Sequence, residues 1–418
     1  MNNNELILNA IKNGNVASID PKSICFGRDE EISFFENILE DIEDDDISVT
    51  KFICGEYGSG KSFLLKVIEH MAYNKGFVVA TVVLNKSVQM HKIDTIYKDI
   101  SANITAPTGK GLKHIIDRWY GKLEKDAQVT TDDIRKRNQY IRDNIEATLI
   151  DAREYSNSFA EAVKYYAISL SSQDTEVVET ANKAMAWLTG DRNILFKDRH
   201  KFGVKGDVDK ENAFDYLKAL SSFLSAVGYN GLVILFDEAI SIVDGSRTES
   251  IRNSAFEYIQ LIYDGCNKEL FDSSLFIFAG TPKFFTDNKK GLKTYPSLYD
   301  RIKPSFSEEV EDIKHPIIRL KKLKPEDFEE FGNMLIKLHE ESNNWDFSPY
   351  HDDLSKIYKY LEYKASLSEG HVLMREFGKT LIDYLDALYQ NPNQREQLLS
   401  ELRSTETKQT NLDDEWAI

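Results

Sequence analysis

Residues Gly55-Glu56-Tyr57-Gly58-Ser59-Gly60-Lys61-Ser62 form a complete G-x-x-x-x-G-K-S pattern, followed by Phe63. These residue types at this spacing suit one task. Glycines let backbone N–H groups wrap a phosphate, the lysine neutralises β- and γ-phosphate oxygens, and the serine hydroxyl takes a place on Mg²⁺. ATP or GTP is the ligand such a loop predicts. Asp237-Glu238, which closes the apolar run Leu232 to Phe236, suits the same ligand. The aspartate is placed to hold Mg²⁺ and the glutamate to orient a water for in-line attack on the γ-phosphate. Acidic pairs also begin ordinary loops, and it is the upstream phosphate loop that gives this pair its chemistry. Thr281, after Phe278-Ala279-Gly280, offers a hydroxyl to the γ-phosphate or to that water, although threonine at a strand end is also a routine turn residue.

Each of these residues needs a strand that stops beneath it. Lys51 to Cys54 is a short apolar run bounded by glycine and predicts a buried strand, and Phe63 to His70 has helical periodicity, giving strand, loop and helix in order. Further strands are predicted at 76–84, 231–238, 274–281 and 316–320, the first rich in β-branched residues. Strands alternating with helices predict an α/β fold, a parallel sheet covered by helices on both faces. Residues 85–230 carry helical periodicity near 93–103, 111–125, 131–153, 158–170, 174–188 and 211–227 and little strand signal, which reads as a large α-helical insertion. Helices are also expected over 5–13 and from about 23 to 42, with Glu43-Asp44-Asp45-Asp46 as a loop. The expected organisation is 1–50 N-terminal helices, 51–84 with 231–323 as the core, 85–230 as the insertion, 324–390 as a helical lid, and 391–418 as a polar tail.

Composition excludes several alternatives. The 418 residues hold 41% hydrophobic and 29% charged side chains, the balance of a folded globular protein. A net charge of −17 argues against a surface that coats nucleic acid or anionic membrane, leaving only a local basic groove. Cys25, Cys54 and Cys266 are odd in number and far apart, so neither a disulfide framework nor a zinc site is indicated. No run of 18 apolar residues and no basic-then-apolar leader is present, which points to the cytoplasm and away from membranes. The histidines have no H-x-x-x-H spacing and no Gly-x-Ser-x-Gly occurs, so metal-hydrolase and acyl-transfer chemistries lack support.

The set Phe26-Gly27-Arg28-Asp29-Glu30, Gly55 to Ser62, Leu232 to Glu238, Phe278 to Thr281 and Ile318-Arg319-Leu320, followed by Leu323 to Asp327, resembles the AAA+ ATPases. The stretches Trp187 to Gly190, Gly203 to Gly206, Asp209 to Ala213 and Gly228 to Glu238 are similar to the BREX-associated ATP-binding family of the BrxD type. Members of that family also occur as the ATPase of the Shango anti-phage system. The resemblance implies an AAA+-like P-loop NTPase with a C-terminal helical lid, ATP and Mg²⁺ as cofactors, and ATP hydrolysis in a prokaryotic anti-phage defence system. Gly27 and Arg28 then pack on the nucleotide base. Arg301, before the last strand, stands where such proteins place a finger for a neighbour's γ-phosphate, and Arg375, in the segment His371 to Phe377, stands where a lid residue approaches its own subunit's phosphate. For Arg301 a local carboxylate partner, and for Arg375 a surface salt bridge, remain open. A homo-oligomer follows if Arg301 acts in trans, and a helicase or another defence protein is the implied partner.

Two basic clusters add a DNA contact as an option. Lys283, Lys289, Lys290 and Lys293 interleave with Phe284, Phe285 and Tyr295, and Lys197, Arg199, His200, Lys201 and Lys205 form a second run. Solvated loops are the plainer reading of both. Arg135-Lys136-Arg137 reads as the charged face of a helix. A slow-turnover, nucleotide-gated scaffold that controls a partner or DNA is the alternative to a motor, and a small-molecule kinase is disfavoured by the Asp-Glu pair.

Overall fold

The chain folds, in the computed structural model, around a seven-stranded sheet; residues 3–13, 20–304, 312–367 and 372–402 are described. In chain order the elements begin with α1 (Asn3–Asn13), α2 (Asp29–Asp45), β1 (Val49–Cys54), α3 (Lys61–Asn74) and β2 (Val78–Val83). There follow α4 (Ile93–Asn103), β3 (Thr105–Ala106), β4 (Gly109–Lys110), α5 (Leu112–Thr130), α6 (Ile134–Thr148), α7 (Ile150–Tyr155), α8 (Asn157–Ser169), α9 (Thr175–Leu188), α10 (Phe196–Lys201) and α11 (Ala213–Ala226). Then come β5 (Leu232–Asp237), α12 (Ile240–Gly245), α13 (Glu249–Asn267), β6 (Ser274–Gly280), α14 (Pro282–Thr286), α15 (Pro296–Ile302) and β7 (Ile317–Arg319), and last α16 (Pro325–Asn343), α17 (Asp352–Leu367) and α18 (Met374–Gln390).

The strand order is β4-β3-β2-β5-β6-β1-β7. Strands β2, β5, β6, β1 and β7 run parallel, while β3 pairs antiparallel with both β2 and β4. This is the α/β architecture of a P-loop NTPase. Strands β5 and β6 are buried along their whole length, as strands covered on both faces must be. Phe236 stacks on Phe278 at 4.5 Å between ring centres, and Phe52 lies 5.5 Å from Phe278 on its other side. From that face the apolar core continues without a break into helices α4–α11, where Tyr216 packs edge-on against Tyr97, Phe159 and Trp187.

Several expectations need correcting. The sheet has seven strands where five were expected, because the hairpin β3–β4 adds to the β2 edge within a region read as an α-helical insertion with little strand signal. Glu43 to Asp45 are the end of α2, not a loop: buried Ile38, Leu39 and Ile42 hold the helix on the core, and only Asp46, at φ 53°, leaves it. That helix starts at Asp29, with a separate 3₁₀ turn at Pro21–Ile24 capped by the Asp20 side chain. The single helix expected over 131–153 is broken at Leu149, whose buried side chain ends α6 and starts α7. The short α10 was not foreseen.

Two compact units result, one of Glu30–Leu320 and the other of Met1–Asp29 with Lys321–Ile418. In the second, α1 packs on α16 and α18, and Phe377 meets Phe328 edge-on at 5.5 Å. Asp353, fully buried, accepts hydrogen bonds from Arg395 (2.6 and 2.7 Å), from the Tyr384 hydroxyl (2.6 Å) and from Lys356 (2.9 Å). His339, 1% exposed, receives the Trp345 indole N–H on Nδ1 (2.8 Å), so its proton sits on Nε2 and is donated to Asp386 (3.1 Å).

Candidate nucleotide-binding site

Parallel strands β1, β5 and β6 end side by side, so whatever follows each of them meets at one edge of the sheet. The backbone N–H of Gly55 donates to the carbonyl of Gly280 (3.2 Å), and that of Ala239 donates to the carbonyl of Ala279 (2.9 Å). The phosphate loop, the Asp237-Glu238 turn and Thr281 are thereby stitched together. This is the crevice at the carboxyl ends of the strands where open α/β sheets take their ligands.

In the loop, Gly58 and Gly60 adopt φ of 79° and 90°, the left-handed region that side chains disfavour. Nothing lies within 4 Å of where a Cβ on Gly60 would stand, so the space above the start of α3 is open. Ser59 is buried, while Glu56, Tyr57, Gly58 and Ser62 are exposed, Tyr57 by 79%. Phe63 is half-buried. Lys61 Nζ donates to the carbonyls of Gly55 (2.9 Å) and Glu56 (2.8 Å), folding its ammonium across the loop where a phosphate would sit. Burial lowers the Lys61 pKa from the ordinary lysine value, with the carboxylates of Asp237 and Glu238 pulling it the other way. Both acids are therefore close enough to Lys61 to act on its charge.

Asp237 is buried at the end of β5, and its Oδ1 accepts the backbone N–H of Glu238 (2.8 Å). Glu238 has φ 57°, a conformation that costs a non-glycine residue about 1–2 kcal/mol. Strain of this kind gathers at functional positions, where surrounding structure holds it in place. Thr281 is half-buried at the start of α14, and its side chain makes no capping hydrogen bond there. Among the described residues no cluster of three or more His, Cys, Asp and Glu side chains is arranged to hold a metal. A serine hydroxyl and one buried carboxylate nonetheless fit Mg²⁺, which takes one or two protein ligands and completes its shell with waters and phosphate oxygens.

Other expected site residues are placed differently. Arg301, in α15, pairs with Asp264 (3.5 Å) and donates to the Ser297 carbonyl. Gly27, Arg28 and Arg375 belong to the unit that contains α16–α18. Arg28 is buried and donates to the carbonyls of Gly27 (3.1 Å) and Lys321 (2.7 Å), and Gly27, at φ 66°, lies so close to the Asp327 carboxylate that a Cβ there would clash. Arg375 is exposed in the first turn of α18, and His371, named with it, lies outside the described residues.

The basic clusters lose part of their support for nucleic acid. Phe284 and Phe285 are buried in the core, not offered for stacking, and Lys283 pairs with Asp244 (2.6 Å). Asp287 accepts the backbone N–H groups of Lys289 and Lys290, shaping their turn. In the second run, Arg199 pairs with Asp207 and Lys201 with Glu176. Sequence reasoning also passed over Arg252, a buried arginine early in α13. An arginine beside Ser250, Asn253 and Ser254 reads as surface, so only packing reveals it.

Fold and site together define a P-loop ATP-binding protein. The family model of the BREX system ATP-binding proteins BrxC/D matches residues 2–403, and the chain belongs to that family. It is thus an ATP-binding protein of the BREX defence system. No curated protein and no solved structure matches the chain. Among the described residues no helix is long and apolar enough to cross a membrane.

Proposed function

We propose that the chain hydrolyses ATP with Mg²⁺ and uses the cycle to remodel or license a partner in the defence system, a helicase or another DNA-acting enzyme. The observation that carries this reading is the convergence of Lys61, Asp237 and Glu238 at one sheet edge, with the Lys61 ammonium hydrogen-bonded, among the described residues, only to loop carbonyls that a phosphate can replace. In this reading the backbone of Gly55 to Phe63 and Lys61 hold the phosphates, and Ser62 and Asp237 would hold Mg²⁺, which when bound would supply positive charge against the transferred phosphoryl group. Glu238 orients the attacking water, and Thr281 donates to the γ-phosphate or to that water. Gly27 and Arg28 serve the base, Arg375 the γ-phosphate of its own chain, and Arg301 that of a neighbour in a homo-oligomer after leaving Asp264. The core is 51–84 with 231–323, 85–230 is an α-helical insertion into it, and 324–390 acts as the lid, all in the cytoplasm.

A Glu238→Gln substitution keeps the size and removes the charge that orients water. ATP binding, measured by calorimetry, is expected within a few-fold of the unsubstituted chain, while turnover falls by about 10²–10⁴. Turnover retained in Glu238→Gln removes the glutamate from the reaction. A second reading, a nucleotide-gated switch with slow turnover, is favoured by the left-handed Glu238 backbone, whose release on ligand binding would itself signal occupancy. ATP-dependent assembly without turnover, in chain that otherwise binds normally, decides for the switch.

A further inference from the structure

Helix α13 follows β5 and returns the chain to the start of β6, parallel to β5, so its first turn lies at the carboxyl edge of the sheet, the edge that holds the phosphate loop. Thr248 caps it, accepting the N–H of Ile251 on its side chain. Arg252, the fourth residue of the helix, is 6% exposed, and its Nε is sealed from solvent with no hydrogen-bond partner among the described residues. Its neighbour Asn253 likewise buries an Oδ1 that receives no donor. Every other fully buried charged side chain with a described site in this unit is answered: Asp237 by the Glu238 N–H, Lys51 by the carbonyls of Lys314 and His315, and Asp198 by Lys183.

Arginine cannot shed its proton inside a protein, so burial without a partner is a cost it cannot escape by neutralising. A buried charge of either sign is retained only where a counter-charge or hydrogen-bond acceptor meets it. On the neighbouring elements Asp244, at the end of α12, is engaged by Lys283 of α14 (2.6 Å), and Asp264, later in α13, by Arg301 (3.5 Å), while Glu249 and Glu257 of α13 and Glu238 after β5 are exposed; among the described residues none of these pairs with Arg252. Around Arg252 the helix N-terminus adds a further positive end.

We infer that Arg252 and the first turn of α13 form a second anion site, which receives a phosphate or carboxylate oxyanion at the carboxyl edge of the sheet, separate from the phosphate loop. The guanidinium supplies the paired donors that match either group. This goes beyond ATP hydrolysis at Gly55 to Ser62 and does not depend on it.

The test uses the full chain with Lys61→Ala as background, so that the phosphate loop no longer contributes its lysine. Melting temperatures are read at matched ionic strength in chloride, with inorganic phosphate, and with acetate. Phosphate at about ten times its Kd is expected to raise the midpoint by about 2–4 °C in Lys61→Ala, and to lose that rise in Lys61→Ala/Arg252→Met. A rise with phosphate alone assigns a phosphoryl ligand, and a rise with acetate as well assigns a carboxylate source. In chloride alone, Arg252→Met is expected to match or exceed the Arg252 protein, because it removes an unanswered charge. A drop of several degrees there shows a structural ion pair and overturns the site, as does an equal phosphate rise with and without Arg252. Arg252→Lys, which keeps the charge and the fold but not the fork, is expected to retain less than half of the rise.

Discussion

At the sheet edge Asp237 is buried and Lys61 half-buried, and in α17 Asp353 is fully buried, yet these charges are answered in opposite ways. Asp353 has four hydrogen bonds from three side chains, all charged or phenolic, and every partner is a residue of its own unit. Lys61 is met by two carbonyls of the loop it belongs to, and Asp237 by the N–H of its own neighbour. The first network is closed, and nothing arriving from outside can improve it. The second is satisfied by local backbone groups that exchange for a ligand at small cost. Full satisfaction stabilises a fold, and provisional satisfaction keeps charge available for chemistry.

Substitution should separate the two regions in size and in kind. The largest effect is expected from Lys61→Ala, which should weaken ATP binding by about 100-fold or more while moving the melting temperature of the ligand-free chain by less than a degree or two. Calorimetric titration and melting in parallel check it, and a large loss of stability would place Lys61 among the structural charges. Asp353→Ala should do the reverse. It leaves Arg395, Lys356 and Tyr384 without their acceptor and is expected to destabilise the unit containing α16–α18 by about 3 kcal/mol, read by denaturant unfolding, while ATP affinity at the phosphate loop is unchanged.

The smallest effect concerns pH. Burial lowers the His339 pKa below the ordinary histidine value, with Asp386 opposing. The unfolded chain therefore takes up a proton first as pH falls, and the stability contributed by neutral His339 is present above about pH 6.5 and lost on acidification through the lower folded value. The Trp345 N–H aimed at Nδ1 gives the local reason, since a protonated ring would set two donors against each other. His339→Phe should remove that limb of the stability curve below about pH 6.5, and an unchanged curve would assign the dependence to another group.

The phosphate loop, its strand and its helix were legible because all their signals are local: glycines at fixed offsets, a strand before, periodicity after. Asp237-Glu238 and Thr281 were legible for the same reason, as endings of apolar runs. The hairpin β3–β4 was not, since two-residue strands have no alternation to read and exist only because β2 offers an edge. Phe284 and Phe285 misled because aromatic spacing says nothing of which side faces the core. Arg301 and Arg252 differ in sequence context too little to show that one finds Asp264 and the other, among the described residues, finds no acid. The left-handed backbone of Glu238 leaves no mark on the sequence, because glutamate is not a residue that advertises positive φ.

The two ends of the sheet carry a consequence for assembly. One closes with the two-residue strand β4 and the other with the three-residue strand β7. Strands this short present too few unpaired N–H and C=O groups to template addition of another chain. Among the described residues the sheet therefore offers a partner in the defence system no ribbon to extend. What the described sheet offers a partner is the helix surfaces and side chains that cover it, not a free strand edge.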